Sequence, residues 1–268
     1  MSADGSDLKT LVRVEPYHRH MVPRWSPDGR EILFDVSWKD SGEYDPRLFK
    51  IAVDGGKPID LGPGKQGCWS PDGKQIVFRI PPDAGAGVEE GVWIMNADGQ
   101  GRQHLLRGFN PVFSPDGDRI VCTSSHEGRD NIYIYDILEG TTRKIEQPYS
   151  KVPGYPTWSP DGTELAFIGV NPGSQPDFVT MRSDGSQPPK VRHTSSTLSQ
   201  SPSWGPGGHL LVGITINDRL QRTGLFDLAK PEEPKALENL DESQTYRDPS
   251  WSPDGKKIVV ITGQEWPN

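Results

Sequence analysis

His18 and His20 are the first residues in this chain whose types and spacing could do chemistry. Two residues apart on a strand, they share one face, and with a third ligand from elsewhere they could hold a metal ion. His104, His126, His193 and His209 are scattered without ligand spacing. Five aspartates, Asp28, Asp72, Asp116, Asp161 and Asp254, recur as a second candidate set. Each stands in Ser-Pro-Asp-Gly, where Pro presets φ, Asp bonds nearby backbone and Gly accepts positive φ. They are expected to cap their turns rather than to form a ring of acids. Gly62-Pro63-Gly64-Lys65-Gln66-Gly67 matches G-x-G-x-x-G. A dinucleotide site needs that string to open a helix; here it leads into Cys68-Trp69 and reads as a loop. There is no G-x-S-x-G nucleophile elbow, and no catalytic residue is assigned.

The elements that position these residues follow from an internal repeat. Trp-Ser-Pro-Asp-Gly occurs at 25–29, 69–73, 158–162 and 251–255, with Phe leading at 113–117 and a degenerate Trp-Gly-Pro-Gly-Gly at 204–208. The leading aromatics are 44, 44, 45, 46 and 47 residues apart, the period of a four-stranded propeller blade. Pro23, Pro111, Pro156, Pro202 and Pro249 lie two residues before their aromatics, and Gly67 breaks the series. After each turn comes an apolar run, such as Ile32-Leu33-Phe34 or Leu165-Ala166-Phe167, as expected for strands covered on both faces. A further strand and a Gly turn follow, for example Val92–Met95 and Asp98-Gly99. The fold class predicted is all-β: one domain over residues 1–268, a six-bladed β-propeller of four-stranded antiparallel blades. Met1-Ser2-Ala3-Asp4-Gly5 is similar to Met95-Asn96-Ala97-Asp98-Gly99. On that likeness the chain begins at the end of a third strand, and Leu8–Val14 is expected to be the fourth strand that closes the ring on the C-terminal blade. The rest of that blade's third strand is expected to be missing unless residues 264–268 and 1–4 supply it.

These repeats resemble the TolB-type, WD-like propeller repeats, over nearly the whole chain. The resemblance implies a closed toroid whose channel-mouth face meets other proteins. It says little about which task is performed, because one fold hosts many.

Composition narrows the classes. Thirty Gly and 26 Pro with 32% hydrophobic residues suit an all-β protein with many turns. A net charge of -8 argues against nucleic acid, which needs clustered Lys and Arg. No apolar run reaches the ~18 residues of a membrane helix, so no membrane insertion is expected, and a monomer is. Cys68 and Cys122, the two cysteines, are expected to be free. The location would be periplasmic or extracellular if a leader or upstream domain was removed, and cytoplasmic otherwise.

In a propeller the innermost strand of each blade surrounds the channel. The residues just before each aromatic differ from blade to blade, and variation on a repeated scaffold is where a specific site is built. Gln66, Asn110, Tyr155, Arg247 and Asp248, with Trp38 on the loop 37–47, are therefore the expected ligand- or partner-binding residues. His18 and His20 are the weaker metal candidates. No cofactor is called for, although a channel-bound metal such as calcium stays open. The leading functional expectation is a non-catalytic scaffold binding a protein or peptide at the channel mouth. The alternatives are a small-molecule or carbohydrate-processing enzyme with a polar or metal site in the channel, and a sensor module of a larger chain.

Overall fold

The computed structural model describes residues 1–17, 20–39, 41–82, 88–125, 128–152, 155–196, 198–205, 209–216, 220–227, 235–237, 241 and 244–263. Every regular element in this set is a strand. The first sheet contains β1 (His20–Trp25), β2 (Glu31–Trp38), β3 (Tyr44–Ala52) and β4 (Ile59–Pro63). The second contains β5 (Lys65–Trp69), β6 (Gln75–Ile80), β7 (Gly91–Asn96) and β8 (Gln103–Leu106). The third contains β9 (Phe109–Phe113), β10 (Arg119–Ser124), β11 (Asn131–Asp136) and β12 (Thr141–Ile145). The fourth contains β13 (Thr157–Trp158), β14 (Glu164–Gly169), β15 (Asp177–Arg182) and β16 (Lys190–Thr194). The fifth contains β17 (Leu198–Trp204), β18 (His209–Ile216), β19 (Leu220–Asp227) and β20 (Lys235–Ala236). Among the described residues the sixth holds only β21 (Thr245–Trp251) and β22 (Ile258–Gly263). Each sheet is an antiparallel meander in chain order. Each packs on the next through its first two strands, and β21 and β22 pack back on β1. These are the blades the repeat predicts, five of them with four strands.

The core lies between blades. Second strands read as continuous buried runs, such as Ile76, Val77 and Phe78, because a sheet covered on both faces needs apolar residues at consecutive positions. The Ser-Pro-Asp-Gly turns explain themselves locally. In five copies the Ser hydroxyl donates to the turn Asp, at 2.5–2.7 Å. The same Ser oxygen accepts the backbone N–H five residues on, at 2.8–3.0 Å. The Asp caps and the Ser, buried beneath it, closes the turn.

The last blade departs from expectation. Leu8–Val14 forms no strand. The N-terminal contact is made earlier: Ser2 bridges Lys257, Ala3 N–H donates to Lys256 O at 2.9 Å, and Ile258 N–H donates to Met1 O at 3.1 Å. The same pattern holds in the second blade, where Asn96 pairs with Gln75, Met95 with Ile76, and Ala97 N–H donates to Lys74 O. Met1–Ala3 therefore occupies the end of a third strand, as the sequence likeness predicts. A fourth strand needs a full third strand to ladder against, and among the described residues only these three supply it. Leu11, Val12 and Val14 instead pack on the apolar face of the first blade.

Candidate functional site

Four of the six innermost strands share a distortion at the position three residues before the aromatic. Val22, Gln66, Asn110 and Asp248 all have φ between 49° and 59° there, a left-handed conformation rare for residues other than Gly and an outlier for a β-branched Val. The ladder shifts register around the same place, between Met21 and Arg24, Lys65 and Cys68, and Arg247 and Ser250. In three of the four strands the next residue is Pro23, Pro111 or Pro249, which has no N–H to donate, and a bulge is how a strand accommodates that.

The bulge turns backbone N–H groups toward the neighbouring blade. Gln66 N–H donates to Asp35 Oδ2 at 2.7 Å, and Asn110 N–H donates to Gln66 Oε1 at 3.2 Å. Val22 N–H donates to the Asp248 carboxylate. A side chain of one blade thus receives the N–H of the next around the channel. Where the first blade has Val22 and no acceptor, Asp35 on β2 serves instead.

These groups form one electrostatic cluster. Burial pushes the Asp35 carboxyl up to about 7, opposed by the Gln66 N–H and by Lys65 and Arg24, while the charge of Asp248 adds to the rise. Burial also raises Asp248, against Arg24, the Val22 N–H and Arg247. Tyr155 is raised well above the usual phenol range by burial and then by Asp35 and Asp248. Arg24 lays its guanidinium over the Tyr155 ring, 5.3 Å from the centroid. Arg79 lies over Phe109 at 5.4 Å and Lys65 over Tyr44 at 5.9 Å.

The structure thus brings Gln66, Asn110, Tyr155, Arg247 and Asp248 to one level of the channel. Trp38 reaches it indirectly: its ring is 5.1 Å from that of Tyr44, on which Lys65 rests. Beside it, Lys39 pairs with Glu43 and Asp45 at 3.2 and 3.0 Å. Tyr17 donates to Asp45 at 2.6 Å; burial, then that bond, raises the phenol to about 12. His18 lies outside the described residues, as does the side chain of His20. Among the described residues no group of three His, Cys, Asp or Glu is placed to hold a metal. Cys68 and Cys122 are free thiols, both raised by burial.

Asp35 and Arg79 were not singled out from the sequence, although a signal exists. Ten residues after the aromatic stand Asp35, Arg79 and Thr123 in the first three blades, and Ile168, Ile214 and Ile261 in the last three. Polar residues inside an otherwise apolar strand mark the wall that carries charge. A second concavity lies at the far end of the innermost strands, about 290 Å³, lined by Trp69, Phe113, Trp158, Trp204 and turn prolines including Pro115. The repeated aromatics therefore have two roles. Trp69, Phe113 and Trp158 are buried between blades, and their edges also line this hollow.

The profile of the TolB beta propeller domain matches residues 106–266. Putative TolB from Agrobacterium tumefaciens superposes with a TM-score of 0.73 at 21% identity, covering 93% of this chain and 91% of that one. TolB from Acinetobacter baumannii superposes at 0.70 and 19% identity; the match covers 87% of this chain and 57% of that longer one. A puromycin-hydrolyzing peptidase from Mycobacterium tuberculosis also shares the fold, at 0.61 and 16% identity, over 91% of this chain and 42% of the peptidase. No curated protein matches the sequence. At these identities the superpositions establish architecture, and the profile, spanning more than half the chain, establishes kinship: the chain belongs to the TolB β-propeller domain family.

Proposed function

We propose that this chain is a non-catalytic scaffold that binds a protein or peptide on the face where its innermost strands begin. The observation that carries the reading is the ring at the position three before the aromatic. In four of the six blades a shared backbone distortion there holds a different side chain, Val22, Gln66, Asn110 or Asp248, so the scaffold repeats while the presented chemistry differs. Trp38 and Tyr44 stand beside it as half-exposed aromatics, the residue types that anchor interfaces. No described helix is long and apolar enough to cross a membrane. The TolB names of the similar structures agree with a binding role, and the peptidase shows that the same fold also accompanies catalysis.

The test is selection of a random peptide library on the immobilised protein. Binders should lose affinity with Trp38→Ala/Gln66→Ala and keep it with Pro115→Ser on the opposite face. Loss with Pro115→Ser alone, or failure to select any binder, would reject this face.

A further inference from the structure

The chain carries a formal charge of -8, yet its channel wall is rich in cations. Arg24, Lys65 and Arg247 surround Asp35 and Asp248, and Arg24 and Arg79 both act on Tyr155. Glu90 is the further carboxylate that acts on Arg79. Among the described residues neither Arg24 nor Arg79 has an ion-pair partner within 4.0 Å, although Arg79 is largely withdrawn from solvent on β6. A withdrawn guanidinium without a carboxylate is costly unless a ligand supplies one. Three of these cations are also held in place by aromatic faces, Arg24 on Tyr155, Arg79 on Phe109 and Lys65 on Tyr44. Stacking uses the flat face of a guanidinium and leaves its N–H edge free to bind.

We propose that Arg79, Lys65 and Arg24 bind a carboxylate of the partner peptide at the channel mouth. This deepens the scaffold reading and rests on it in one respect, that a peptide is what meets this face. A monoanion suits the wall better than a phosphate. Four cations, Arg24, Lys65, Arg79 and Arg247, stand there with three carboxylates, Asp35, Asp248 and Glu90, so one negative charge on the ligand is balanced and a second would meet repulsion. In a chain of formal net charge -8, a cluster of cations is a place where an anion is attracted.

The experiment uses a random hexapeptide library in two forms, free acid and C-terminal amide, retained on the immobilised protein, with sodium acetate and inorganic phosphate tested separately by thermal shift. Retained peptides should be free acids, or amides enriched in Asp and Glu, which separates a terminal carboxylate from a side-chain one. Retention should fall at least about tenfold in Arg79→Gln, roughly one charge-assisted hydrogen bond, be partly restored in Arg79→Lys, and weaken with salt in the unmodified protein. The salt series decides the matter if Arg79→Gln does not fold. Equal retention of neutral amides overturns the carboxylate site and leaves the scaffold standing. No retained peptide, but stabilisation by acetate that Arg79→Gln abolishes, upholds the site and removes the scaffold. Neither peptide nor acetate binding removes both. Stronger stabilisation by phosphate than by acetate overturns the choice of a monoanion.

Discussion

Arg24 on the first blade reaches across the channel and stacks on Tyr155 of the fourth, with the guanidinium carbon 5.3 Å from the ring centroid. In a ring of six sheets these two blades are opposite one another, so a single side-chain pair spans the channel at this level. Tyr155 is buried and acts as the far wall of the charged cluster. Tyr155→Ala should therefore destabilise by about 3–5 kcal/mol, the cost of emptying a buried aromatic site. Tyr155→Phe keeps the ring under Arg24 and should cost less than about 1.5 kcal/mol. Urea unfolding of both variants checks the contrast; equal losses would show that the ring is not what holds the wall.

Asp35 makes stability depend on pH in the direction opposite to most carboxylates. Its folded pKa is pushed up to about 7 by burial, above its unfolded value, so the folded state holds the proton more tightly. Its contribution is complete at acid pH, declines as pH rises from about 4 to about 7, and is lost above that. The size is on the order of 2–4 kcal/mol for a shift of this kind. Asp35→Asn keeps an oxygen for the Gln66 N–H and cannot ionise. The variant should gain stability relative to the unmodified protein as pH is raised from 5 to 8, measured by urea midpoints at each pH. A difference that does not change with pH would mean Asp35 is ionised throughout.

The turns should be more sensitive at Ser than at Asp. Ser114 is fully buried, donates to Asp116 and accepts the Arg119 N–H at 3.0 Å. Ser114→Ala strands that N–H under the turn and should cost about 1–3 kcal/mol. Asp72, in the corresponding place of the second blade, is exposed, and Asp72→Ala should cost about 1 kcal/mol or less. The Ser70 hydrogen bond, then the Lys74 N–H, holds the Asp72 carboxyl below its usual range. The stability such aspartates give is present at neutral pH and lost as pH falls through that lowered value. Thermal melts of the two variants at neutral pH give the order.

What was legible in the sequence was what is local. A Pro-Asp-Gly turn and the apolar run after it fix one another within a dozen residues, and six copies fix the blade count. The variable positions before each aromatic were found for the same reason: they interrupt a repeat. The bonds between them were not legible. Gln66 and Asn110 are 44 residues apart and Asp35 and Gln66 are 31 apart, and nothing in either neighbourhood states the pairing. Arg79 and Asp35 sit in strands whose pattern is apolar, so reading the pattern passed over the residues that broke it. Leu8–Val14 departs from the expectation for a further reason: the likeness of residues 1–5 to 95–99 gives the segment its place in the repeat, whereas a strand requires a neighbour with free N–H and C=O groups.

The same reasoning predicts which part of the N-terminus holds the last blade. Ala3 donates its N–H to Lys256 O at 2.9 Å, while Met1 and Ala3 pack on the cluster of Tyr246 and Ile258. Ala3→Pro removes that donor and sets a ring against the edge of β22. The loss should be about 1–3 kcal/mol. Lys9 lies in the stretch 8–14, is exposed, and its N–H makes no backbone hydrogen bond among the described residues. Lys9→Pro should therefore change stability by no more than about 0.5 kcal/mol. A cost at Lys9 matching that at Ala3 would show that residues 8–14 do ladder onto the blade in solution. A cost at Ala3 alone would place the N-terminal anchor at the three residues that repeat the pairing of Met95–Ala97.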